Sequence, residues 1–159
     1  MKNLNKLFSV LLVVAVLFMS MSTLGFASSV PKTYYIDSLN GDDSNSGLSE
    51  LAAVKTINGL KLEPIVAGTK FLFRNGGRYE STVVLENVSG TKENPIVISS
   101  YGDGDKAILY TDEAKEVLTF NDCSYVTVSD ISVTAPNGGG IWINTFNMAS
   151  EGMVIDNVY

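Results

Sequence analysis

The sequence predicts an all-β chain wound as a parallel β-helix, a three-sheet solenoid behind an N-terminal cap. Three observations point there. Apolar runs of three or four residues recur along the chain, separated by Gly, Asn, Asp and Ser, and they are too short for ordinary sandwich strands. Two stretches repeat: residues 126–131 align with 154–158 when Asp130 is set on Asn157, 27 residues on, and residues 117–120 align with 140–143, 23 residues on. Repeats in the twenties, each carrying three short strands, are a solenoid signature. Finally, Ser129-Asp130 and Asp156-Asn157 fall at one recurring corner. Such a corner suits Asx residues, which tolerate left-handed backbone and can stack as a side-chain ladder.

Taken in order, the chain opens with Lys2 and Lys6, an apolar run over 7–19, and small residues ending Gly25-Phe26-Ala27. That pattern predicts a secretory signal cleaved after Ala27, too short in its apolar run to span a bilayer comfortably. The protein is therefore expected to be secreted and extracellular. Residues 28–75 are expected to hold the cap and first coil, with strand runs at 34–36 and 71–73. Residues 54–62 leave room for one short helix, which Gly59 weakens and Pro64 stops. Residues 76–159 are expected to form successive coils. Runs 83–85, 96–98 and 107–109 make one coil, 117–120, 126–128 and 131–133 the next. Runs 140–143, 153–155 and 158 onward begin a third, with the loop Pro136-Asn137-Gly138-Gly139-Gly140 leading into it.

Charge and composition exclude several functions. The chain carries 11 basic and 17 acidic residues, net charge −6, and no histidine. Removing Lys2 and Lys6 with the signal leaves 9 basic against 17 acidic residues, net charge −8. An acidic surface without a Lys/Arg cluster disfavours nucleic acid and anionic membranes, so neither is an expected partner after signal cleavage. Without histidine, Ser-His-Asp and His-ligated metal chemistries are ruled out. Cys123 is the single cysteine, so no intramolecular disulfide forms, and it is expected to be a buried structural thiol.

Certain segments together carry a resemblance. They are Thr33-Tyr34-Tyr35-Ile36-Asp37, Asn40 to Gly47 (NGDDSNSG), Lys55-Thr56-Ile57, Gly68 to Tyr79 (GTKFLFRNGGRY), and Ser89-Gly90-Thr91 followed by Asn94 to Gly102 (NPIVISSYG). They resemble the N-terminal region of secreted bacterial proteins of the pectate-lyase-like right-handed parallel β-helix superfamily. The likeness covers residues 33 to 159. It departs from the usual pattern at Ala53-Val54, where a Pro-aromatic pair normally precedes Lys-Thr-Ile. The resemblance implies a right-handed fold and a polysaccharide partner. It spans polysaccharide lyases, glycoside hydrolases, epimerases and non-enzymatic adhesins. Lyases of this type imply calcium held by several carboxylates, so calcium is the cofactor the resemblance implies for a full-length protein. Hydrolases imply acidic residues on adjacent coils.

Neither constellation is found on the outward strand positions, and no catalytic or metal-binding residue is assigned. The loop at Asn40 to Gly47 looks like half a calcium loop, but an EF-hand glutamate would stand eleven positions after its first ligand, at Ala53 or Val54. It reads as an Asx-rich turn, as does Tyr101-Gly102-Asp103-Gly104-Asp105. Arg74 and Arg78 read as cap-turn residues paired with surface acids. Trp142 is the substrate-binding candidate. Period-2 alternation points Leu118, Phe120, Ile141 and Ile143 inward and Thr119 and Trp142 outward. There Trp142 either stacks on a sugar ring or packs under the loop that follows. The sequence stops at Tyr159 within a coil, so it is expected to be the N-terminal part of a longer polysaccharide lyase or glycoside hydrolase. By itself it is expected to be inactive. The alternatives are a non-catalytic adhesin or carbohydrate-binding β-helix and a structural repeat protein.

Overall fold

A computed structural model describes residues 29–80, 82–113 and 115–159. The expected signal peptide, residues 1–27, lies outside them. Eleven short strands follow one another: β1 (Thr33–Ile36), β2 (Lys70–Arg74), β3 (Arg78–Glu80), β4 (Val83–Glu86), β5 (Ile96–Tyr101), β6 (Ile108–Tyr110), β7 (Leu118–Asn121), β8 (Val126–Ser129), β9 (Ser132–Thr134), β10 (Ile141–Asn144) and β11 (Val154–Asp156). They form three sheets: sheet 1 in the order β1-β2-β5-β8-β11, sheet 2 as β3-β6-β9 and sheet 3 as β10-β7-β4. Every strand pairing is parallel. The chain passes from sheet 1 to sheet 2 to sheet 3 and round again, making a β-solenoid of about three turns.

Alternation along each strand builds the core. Tyr34, Phe71, Ile98, Val128 and Ile155 stack in register through sheet 1. The rings of Tyr34 and Phe71 lie 5.5 Å apart and nearly parallel. In sheet 3 the inward columns are Val83–Leu118–Ile141 and Leu85–Phe120–Ile143. Leu118 and Phe120 are fully enclosed. Burying each contributes about 1.5–3 kcal/mol. Cys123 is a free, buried thiol whose Sγ lies 3.4 Å from the Leu85 carbonyl, and burial raises its pKa.

Both sequence repeats set the observed registers. Trp142 pairs with Thr119 and Ile143 with Phe120, and Ile155 pairs with Val128. At the corner, Asp130 and Asn157 both adopt left-handed backbone (φ 56° and 53°), and Asn157 Nδ2 donates to Asp130 Oδ1 at 2.7 Å.

Several expectations need correction. Ile143 is 42 % exposed, not buried, and Ile141 is half-buried. β10 is the outer strand of sheet 3 with β7 as its neighbour, so one flank of each side chain is bare. The cap holds two 3₁₀ turns, Glu50–Ala52 and Ile57–Gly59, of which only the second falls in the 54–62 run that left room for a short helix. The expected run at 71–73 lies within β2, which pairs with both β1 and β5. Strand β3 was not anticipated. Its single inward residue, Tyr79, packs edge-on against Phe73 with ring centroids 5.0 Å apart. The Tyr79 hydroxyl lies 3.0 Å from the Arg74 carbonyl and 3.2 Å from that of Ile36, so it joins the cap strand to the first coil.

Candidate functional site

Sheet 3 presents two outward rows. Val84, Thr119 and Trp142 stand in register across β4, β7 and β10, and Glu86, Asn121 and Asn144 form the row beside them. They face outward because Leu85, Phe120 and Ile143 between them turn to the core. Trp142 is 51 % exposed and Val84 52 %, whereas Thr119, Asn121 and Asn144 are half-buried. The second row is one hydrogen-bonded ladder. Asn121 Nδ2 donates to Glu86 Oε1 at 3.0 Å, and Asn144 Nδ2 donates to Asn121 Oδ1 at 2.8 Å. Trp142 Nε1 in turn donates to Asn144 Oδ1. An indole held by its polar edge thus adjoins a strip of amides and one carboxylate.

The loop after β10 is tied down beside this face by Asp122, which is buried and in left-handed backbone (φ 50°). Its Oδ1 accepts from the backbone N–H of Phe146 (2.7 Å), Asn147 (2.9 Å) and Met148 (3.2 Å), and its Oδ2 from Asn147 Nδ2 (2.9 Å). These bonds, the Asn147 N–H foremost, hold the Asp122 carboxyl below the usual range. Half of the Trp142 surface stays open to solvent alongside the anchored loop.

Other sequence candidates resolve into structural roles. In the cap loop, Asp43 Oδ1 accepts from the Lys55 and Thr56 backbone N–H at 2.9 and 2.7 Å, and its Oδ2 from the Thr56 hydroxyl. Asp42 Oδ1 accepts from the Ser44 N–H at 2.8 Å, and both carboxyl pKa values are lowered mainly by these backbone bonds. Among the described residues, no group of three or more His, Cys, Asp or Glu is placed to hold a metal ion. Arg74 and Arg78 do not pair with surface acids as expected. Their guanidinium carbons lie 5.8 Å over the Tyr101 ring and 3.5 Å over the Tyr110 ring respectively; Arg74 stands in register with Tyr101, whereas Arg78 pairs with Ile108 and reaches diagonally to Tyr110, the register partner of Glu80. Burial pushes the Tyr101 hydroxyl up to about 12. A cleft of about 320 Å³ between cap and sheet 2 contains Glu80 and Glu113. Both are engaged: Glu80 accepts from the Tyr110 hydroxyl at 3.3 Å, and Glu113 is ion-paired with Lys115.

The sequence alone singles out Trp142 and gives no sign of Glu86, Asn121 and Asn144 beside it. Each stands one residue past an apolar run, where the strand was taken to have ended. The 23-residue offset that aligned Phe120 with Ile143 also aligns Asn121 with Asn144.

Fold and face together define a parallel β-solenoid that presents an aromatic-and-amide surface on one sheet. No protein-family model matches the chain. In sequence it is similar to a lacto-N-biosidase of Bifidobacterium longum subsp. longum, 28% identical over 131 residues, covering 64% of this chain and 8% of that protein. In structure it is similar to the GH136 lacto-N-biosidase from Eubacterium ramulus. The TM-score is 0.61 at 25% identity against the selenomethionine derivative and 0.62 at 24% against the native protein; each match covers 80% of this chain and 26% of that one. The chain therefore spans about a quarter of the solved structure's length. The resemblance to β-helix proteins holds at the level of the solenoid itself.

Proposed function

We propose that this chain supplies the first coils, and a glycan-contacting face, of a secreted glycoside hydrolase. The observation that carries this reading is Trp142, half exposed on a sheet and held at its polar edge by Asn144. An indole in this setting offers an apolar face to a pyranose ring while neighbouring amides take its hydroxyls. The relatives' name as lacto-N-biosidases favours hydrolysis over lyase chemistry. Glycoside hydrolysis commonly uses a pair of carboxylates flanking the scissile bond. Glu86 is the one acid in these two rows, so the face is assigned binding and no catalytic residue is named. The pectate-lyase-like superfamily remains a broader frame for the same fold, and calcium has no role in this reading.

Calorimetric titration of the chain with neutral oligosaccharides tests the reading. Binding is expected, with Trp142→Ala weakening it by about tenfold, the equivalent of about 1.4 kcal/mol. Undiminished binding by Trp142→Ala would remove the face from the account.

A further inference from the structure

We infer that Glu86, Asn121, Asn144 and Trp142 form one polarised hydrogen-bond chain that makes this face selective for neutral glycans lying across the coils. The inference rests on the sugar-binding reading of Trp142 and adds the class of ligand. It begins from the two ends of the chain. A carboxylate only accepts and an indole N–H only donates. Glu86 therefore requires the Asn121 amino group to face it, which turns Asn121 Oδ1 toward Asn144. Trp142 requires Asn144 Oδ1, which turns the Asn144 amino group toward Asn121. The two requirements meet at the central bond and agree. Flipping either amide would set oxygen against oxygen or nitrogen against nitrogen. The orientations of both asparagines are thus dictated by the network, and each bond polarises the next.

Two consequences follow. Each amide keeps one N–H and one carbonyl lone pair for a ligand, repeated at the spacing of the strands, about 4.8 Å. The two asparagines present this pattern on adjacent strands about 4.8 Å apart, with Glu86 on the far side of Asn121 and the indole on β10 beside Asn144. A glycan crossing β4, β7 and β10 would meet donor and acceptor together at each asparagine, as sugar hydroxyls require. The second consequence is charge. Glu86 alone of the six residues is ionisable, and the whole chain is net −6. A uronate carboxylate about 5 Å from Glu86 would bind roughly fourfold more weakly even with the dielectric of bulk water between them. No basic residue stands in either row to offset this.

Calorimetry with chitotetraose as the neutral probe and tetragalacturonate as the acidic one tests the inference. The expected result is that wild type prefers chitotetraose by fourfold or more. Glu86→Gln, which keeps an acceptor for Asn121 but removes the charge, should narrow the preference by at least half. Asn121→Ala should weaken chitotetraose binding several-fold. It should also shift the indole N–H proton resonance, although Asn121 and the indole are joined only through Asn144. An unchanged preference in Glu86→Gln, or an unmoved indole resonance in Asn121→Ala, would overturn the polarised chain. If wild type binds neither probe, or Trp142→Ala binds as well as wild type, the sugar-binding reading itself fails. The indole resonance of Asn121→Ala still tests the chain in that case.

Discussion

Asp122 organises more of the site's surroundings than its single carboxylate suggests. It gathers three consecutive backbone N–H groups and an asparagine amide from the loop after β10. Because these bonds favour the charged form, its folded pKa lies below the unfolded value near 3.9. The sign follows: its contribution is fully present above about pH 4 and is lost as pH falls further, through the folded value. The protection of the Phe146, Asn147 and Met148 amides against hydrogen exchange, relative to their intrinsic rates at each pH, should therefore be steady from pH 7 to about 4 and fall below it. Asp122→Ala should accelerate exchange at those three amides across the whole range. Protection that ignores both pH and the substitution would show that the loop is held by something else. The sequence reading saw none of this. An isolated aspartate after a strand carries no sign of the loop it serves, because its partners lie 24 to 26 residues further on.

At the scale of elements, most strands were legible because two apolar side chains alternate with one outward residue. β3 escaped because Arg78-Tyr79-Glu80 has a single inward side chain, which gives no period to count. The outward row of Glu86, Asn121 and Asn144 escaped because polar residues at a strand end look like the start of a turn. The corner residues were legible as Asx positions and do occupy left-handed backbone. Asp130→Gly should therefore be nearly tolerated, whereas Asp130→Val should destabilise by about 1–2 kcal/mol, since a β-branched residue is strained there. Equal losses of melting temperature in both variants would place the role of Asp130 in its side-chain bond to Asn157 instead. In the core, Phe120→Ala should cost about 3–5 kcal/mol, because Phe120 is fully enclosed between the strands of sheet 3. Denaturant unfolding followed by circular dichroism measures it.

Across the whole molecule, repetition holds the coils together without a disulfide. Each coil lays its inward side chains on those of the coil before, and Tyr79 fastens the cap to the first of them. The same registry that stacks the core also aligns outward residues, so a hydrogen-bonded row emerges from side chains 23 and 35 residues apart. On the proposed reading, the outward face of sheet 3 contacts a neutral glycan through Trp142 and the amide ladder. The chain has one tryptophan, so its indole N–H gives a single resonance. A nitrogen–proton correlation titration with chitotetraose should move that resonance together with the side-chain amides of Asn121 and Asn144, at one shared affinity, while the cap amides around Asp43 stay still. Shifts that fall in the cap or on sheet 2 and spare the indole would contradict the account.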